Sequence, residues 1–164
     1  MRILSLCLLA VMVFTTGCFK SDNGCSYTDN NVVAPAAEQA QLESYLSTNG
    51  ITTAVKHPSG FYYEILSPGT GVNPGLCSVI TVGYTGTLTN GNVFDQQQSL
   101  SFQLGTLIEG WRKGIPLIKK GGSIQLYLPP SLGYGAADVK DGQGNVVVPA
   151  NSILLFEVNL MEVQ

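Results

Sequence analysis

Hydrophobic and polar positions change rhythm several times along the chain, and each change marks an element. Met1-Arg2 precedes a mostly apolar run from Ile3 to Phe14, followed by Thr15-Thr16-Gly17-Cys18. One positive charge, about a dozen apolar residues and a small-residue site have the form of a secretory leader over 1–17. The run is too short for a membrane-spanning helix, which needs ~20 apolar residues. Residues 18–34 are polar and rich in turn formers (Asp22, Asn23, Gly24, Asp29, Asn30, Asn31), the composition of a tether. The segment 35–50 then takes helical spacing. Leu42, Tyr45 and Leu46 fall at i, i+3 and i+4, on one face. Pro35 suits the first turn, Glu38 suits the helix dipole and Asn49-Gly50 supplies the stop. This predicts a short amphipathic helix ahead of the main domain, packed on it or serving as a dimer contact.

From Ile51 to Gln164 the texture is β. Phe61 to Leu66 reads as a strand, and Ser67-Pro68-Gly69-Thr70-Gly71 as a turn. Ser78 to Leu88 alternates, and Asn90-Gly91 is a strong hairpin signal. Ser101 to Leu104 and Ser123 to Leu128 are further strands. Ile153 to Val163 is the last, with Leu154, Phe156, Val158 and Leu160 on one face and Leu155, Glu157, Asn159 and Met161 on the other. Between these, Leu107, Trp111, Ile115 and Ile118 have helical spacing, kept short by Gly114 and Pro116. The plan is α+β, a mostly antiparallel sheet with one short helix, and no internal repeat is visible.

Composition narrows the function. The 164 residues are 45% hydrophobic and 12% charged, with 8 Lys+Arg against 11 Asp+Glu. A mildly acidic chain without a basic cluster is a poor nucleic-acid binder. One histidine, His57, and four cysteines disfavour a multi-ligand metal site. His57 precedes Pro58-Ser59-Gly60, where a surface position is the expectation. There is no GxSxG, no phosphate loop, no GxGxxG at a strand–helix junction and no CxxC. Covalent, metal and cofactor chemistry are therefore not expected.

Small residues leading into Cys18 resemble the cleavage site of bacterial lipoproteins, although Thr15 stands where Leu or a similar residue is usual. The resemblance implies that Cys18 becomes the lipid-modified first residue; plain secretion with an ordinary thiol is the alternative. Cleavage there also removes Arg2 and Cys7, leaving Cys25 and Cys77. In an exported chain these two either bridge the tether to the domain or remain free thiols.

What remains is a set of aromatics separated by glycines: Tyr84, Phe94, Phe102, Trp111, Tyr134 and Phe156, with Asp95 beside Phe94. Each alone would be ordinary core. Together, in VGYTGTLTNGNVFD (82–95), SFQLG (101–105), LIEGWRKGIPLIKKGG (107–122), LYLPPSLGYGA (126–136) and VPANSILLFEVNLMEV (148–163), they resemble the FKBP-type peptidyl-prolyl cis-trans isomerases. The resemblance implies a curved antiparallel sheet wrapped around one short α-helix, with the site between them. It also implies the activity (EC 5.2.1.8), on proline-containing segments of exported proteins. Trp111 is then the floor, Tyr84, Phe94 and Phe156 the walls, and Leu107 and Ile108 the rim. Asp95 is a buried-edge acid, the Ile108 N–H and the Tyr134 hydroxyl hold substrate carbonyls, and Val148 lies in a loop that closes over the pocket.

The chain departs from the family pattern in three places. The stretch from Asp95 to Leu100 is short and lacks a basic partner for the acid. Leu100 stands where an aromatic wall is common. The loop 136–147 is long and has the turn residues of an extra hairpin. Two rivals to the enzyme remain: a non-catalytic module or chaperone gripping proline segments, and a structural lipoprotein of the envelope. The expected setting is the bacterial cell envelope, by a lipid anchor in the outer membrane facing the periplasm, with a monomer the favoured state.

Overall fold

The computed structural model describes residues 24–164; the leader, Cys18 and the first residues of the tether lie outside the described residues. A helix, α1 (Ala36–Thr48), precedes strands β1 (Val55–Lys56), β2 (Tyr62–Ser67), β3 (Val79–Leu88) and β4 (Val93–Gln103). A six-residue helix, α2 (Glu109–Gly114), leads to β5 (Ser123–Leu128), a hairpin of β6 (Val139–Lys140) and β7 (Val146–Val148), and β8 (Leu154–Val163). Six strands form one sheet in the order β1-β2-β5-β8-β3-β4, and each neighbouring pair is antiparallel. The architecture is α+β, as the alternation of apolar positions requires.

The sheet buries one face against α2. Ile80, Val82, Leu126, Leu128, Phe156 and Val158 from the strands meet Leu104, Trp111 and Ile115. A helix containing two glycines has poor intrinsic propensity, and here close packing explains them. A methyl at Gly110 would stand 2.4 Å from a Leu128 methyl, and one at Gly114 2.6 Å from a Leu126 methyl. The glycines let α2 settle directly onto β5.

Two expectations change. The short strand expected over 101–104 is the far end of one long edge strand, β4, which begins at Val93 just after the Asn90-Gly91 turn. Gln96-Gln97-Gln98-Ser99 carries no apolar alternation because both faces of that stretch are exposed. Residues 25–34 are also not a free tether. Cys25 and Cys77 are joined in a disulfide with Cα atoms 5.7 Å apart. Arg112 donates to the Thr28 carbonyl (2.8 Å), and Lys113 donates to the Asp29 carboxylate (2.8 Å) and the Asn30 carbonyl (2.5 Å). The segment is thus strapped across the back of α2. The Lys113 ammonium holds the Asp29 carboxyl below its ordinary value.

Helix α1 packs on the domain through Leu42 and Leu46, which are buried with Tyr127 and Ile153. The hairpin at 139–148 is organised by Asp141, whose carboxylate accepts hydrogen bonds from the backbone N–H groups of Gln143 and Asn145.

Candidate active site

β3 and β4 set the acid. A regular strand points successive side chains to opposite faces, so Phe94 and Asp95 should diverge. The β3–β4 register slips between Gly86 and Thr87, opposite Asp95 and Val93, which leaves Phe94 as the extra residue. Such a bulge re-aims side chains: Asp95 reaches the cavity, and Phe94 packs behind its Phe156 wall. The Tyr84 hydroxyl donates to Asp95 Oδ2 at 2.6 Å, a short charge-assisted bond. Burial, then the Asp95 carboxylate, pushes the Tyr84 phenol well above its ordinary value, so the hydroxyl stays a donor. Asp95 itself is exposed at the mouth rather than buried at an edge, because β4 is an outer strand. Among the described residues it has no cationic partner within 4 Å, and the tyrosine takes that place.

Trp111, 4% exposed, is the centre of an edge-to-face aromatic cluster. Its ring lies 5.1 Å from Tyr84 at 87°, 5.3 Å from Phe156 at 85° and 6.3 Å from Phe102 at 87°. Near-perpendicular packing suits the ring quadrupoles and fixes the walls. The indole N–H is buried without a protein acceptor among the described residues. Phe94 stands behind, 5.5 Å from Phe156 and 6.4 Å from Tyr134. Room for these rings comes from Gly86. A methyl there would lie 2.7 Å from the Phe94 ring and 2.9 Å from the Phe156 ring.

The result is a cavity of about 150 Å³ lined by Tyr84, Asp95, Phe102, Leu107, Ile108, Trp111, Tyr134 and Phe156. Drug-sized sites occupy roughly 300–1,000 Å³, whereas an apolar cavity near 150 Å³ holds a single small ring. The Ile108 carbonyl is engaged by the N–H groups of Trp111 and Arg112, which ties the rim to the first turn of α2. Tyr134 is 39% exposed at the mouth, and its hydroxyl is also raised by burial and by Asp95.

Seven of the nine pocket residues anticipated from the resemblance line this one cavity. Phe94 does not. It backs Phe156 and lines a neighbouring groove with Leu88, Val93 and Val146. Val148 does not either; at 1% exposure its side chain belongs to the core instead of closing over the opening. Phe102, named among the aromatics but given no pocket role by the resemblance, lines the wall, whereas Leu100 is 40% exposed. His57 is half-buried, stacked 4.3 Å from Phe61, and lies outside this cavity.

The sequence pattern described as FKBP-type peptidyl-prolyl cis-trans isomerase matches residues 72–161, more than half of the chain. The chain belongs to the FKBP-type peptidyl-prolyl cis-trans isomerase family. A relative in Aeromonas hydrophila, the FKBP-type peptidyl-prolyl cis-trans isomerase FkpA, is 35% identical over 77% of this chain and 47% of its own length. The outer membrane protein MIP of Legionella longbeachae is 34% identical over 77% of this chain and 54% of that protein. The crystal structure of FkpA from Escherichia coli superposes with a TM-score of 0.67 at 34% identity, covering 79% of this chain and 60% of that one. This FKBP-type chain spans about half the length of the curated relatives it matches.

Proposed function

We propose that this FKBP-type chain is a peptidyl-prolyl cis-trans isomerase acting on proline-containing segments of polypeptides. The observation that carries the reading is the small aromatic cavity with one carboxylate at its mouth. An X–Pro bond turns against a barrier of ~18–20 kcal/mol set by amide resonance, and uncatalysed exchange takes tens of seconds or longer. The planar amide has a larger charge separation than the half-rotated one. A dry aromatic enclosure penalises the planar form more, which is differential binding of the transition state. The proline ring rests on Trp111 between Tyr84 and Phe156. The Ile108 N–H and the Tyr134 hydroxyl hold the flanking carbonyls while the bond rotates. Asp95, gripped by Tyr84, orients and polarises at the mouth. The step needs no nucleophile, cofactor or metal.

A proline-limited refolding assay on the domain tests this. Wild type should accelerate the slow phase; Asp95→Val should lose roughly tenfold, about 1.4 kcal/mol, and Phe94→Tyr less, because Phe94 backs the Phe156 wall without lining the cavity. A wild type that leaves the slow phase unaccelerated would sink the enzyme reading, and an unimpaired Asp95→Val would sink the role given to the acid. Proline-peptide binding without acceleration would favour a binding module or chaperone.

The reading extends to location. The apolar leader, Cys18 and a disulfide that persists in oxidising compartments support export and a lipid anchor at Cys18 in the bacterial envelope. A relative named as an outer membrane protein supports placement on that membrane, facing the periplasm. One acyl chain binds a bilayer only marginally, so firm attachment requires more than one. Mass spectrometry should find lipid on Cys18 and none on Cys18→Ser; membrane retention of the variant would defeat the anchor.

A further inference from the structure

Helix α1 lies outside the stretch covered by the family pattern, yet it reaches the loop that carries Tyr134. Leu42 and Leu46 fix the helix against Tyr127 on β5 and Ile153 before β8. From the first turn, Glu38 Oε2 accepts the Ser131 N–H at 2.8 Å in a partly buried contact. Ser131 belongs to a 3-10 turn, Pro130–Leu132. That turn needs an outside acceptor. Pro130 has no N–H. The N–H groups of Leu132, Gly133 and Gly135 bond back to the carbonyls of Pro129 and Pro130 at 3.1, 2.9 and 2.9 Å. The Ser131 N–H is the donor that these carbonyls leave unserved, the usual position of an orphan at a helix start. Farther along, the Asn151 N–H holds the Gly135 carbonyl at 2.8 Å. Tyr134 therefore hangs between two external fastenings, Glu38 on one side and Asn151 on the other.

We propose that Glu38 is a positioning residue for the isomerase site, holding Ser131 so that Tyr134 stands over the cavity. This rests on the isomerase reading. Glu38 is not part of the cavity lining, so its influence passes through the loop. Its charge strengthens a bond to a backbone donor beyond what a neutral acceptor gives.

The test is a double-mutant cycle in kcat and KM on a short proline peptide, using the full domain with α1. Glu38→Ala should lower kcat/KM by roughly tenfold. Glu38→Gln keeps an oxygen acceptor and should recover most of it. In a Tyr134→Ala background, Glu38→Ala should cost less than about twofold, because the positioned group is already gone. Amide exchange at Ser131 and Tyr134 should quicken in Glu38→Ala and stay slow in Glu38→Gln. An equal loss in both backgrounds, as a merely structural role would give, overturns the proposal. So does an unchanged Glu38→Ala. A wild type that binds the peptide without accelerating rotation defeats the isomerase reading first, and this proposal with it.

Discussion

Gly86→Ala perturbs the site without replacing any group that meets substrate. The added methyl would stand 2.7 Å from Phe94 Cζ and 2.9 Å from Phe156 Cε1. Carbon atoms settle at about 3.5–4.0 Å, so each ring must retreat by roughly 1 Å. Phe156 has Trp111 in edge-on contact at 5.3 Å, and Phe94 has Tyr134 at 6.4 Å. The displacement therefore travels into the cavity walls. Overpacking of this kind costs about 1–3 kcal/mol, which lowers the unfolding midpoint by roughly 3–10 °C for a chain of this size. A misplacement near 1 Å in a catalytic site costs up to about a hundredfold, so kcat/KM should fall between ten- and a hundredfold. The assays are thermal unfolding by circular dichroism and proline-limited refolding, the latter well below both midpoints so that unfolding does not contribute. Gly75→Ala is the control, since a methyl there meets nothing within 4 Å. A Gly86→Ala protein within about 1 °C and twofold of wild type would refute the reasoning about ring placement.

Replacing Cys25 and Cys77 by serine together, or reducing the bridge, should remove roughly 2–4 kcal/mol of stability for a sequence separation of 52. Urea unfolding with and without reductant reads this, and overlapping curves would count against a stabilising strap. Burial, then the Lys113 charge, holds the His57 imidazole below its ordinary value of 6.5. The unfolded chain then binds more protons, so stability should fall as pH drops below about 6.5. His57→Gln should flatten that slope in urea midpoints measured at pH 7.5 and 5.5. A slope unchanged by the substitution would assign it to other groups.

Much of the fold was legible because burial leaves a period. In β8, Leu154, Phe156, Val158 and Leu160 are buried while Glu157, Asn159 and Met161 face solvent, as their alternation requires. β4 was illegible for the converse reason: an edge strand with both faces wet has no apolar rhythm, and two register slips break its alternation. The site residues Tyr84, Trp111 and Phe156 could be named from motifs, but their meeting depends on those slips and on Gly86. Phe102 stands in the same aromatic set, but its place in the wall follows from the β4 register rather than from any motif. Residues 25–34 look like linker by composition. Their partners, Arg112 and Lys113, lie more than eighty residues away, and no local pattern encodes such a contact.

The bridge at Cys25 sets a working radius. An extended chain advances at most about 3.5 Å per residue, so the seven steps from Cys18 to Cys25 reach roughly 25 Å, whereas a loose segment running to Ala34 would reach roughly 55 Å. With lipid on Cys18, that bridge would confine Cys25, and the domain fastened to it, to less than half the standoff from the bilayer that a loose segment would permit.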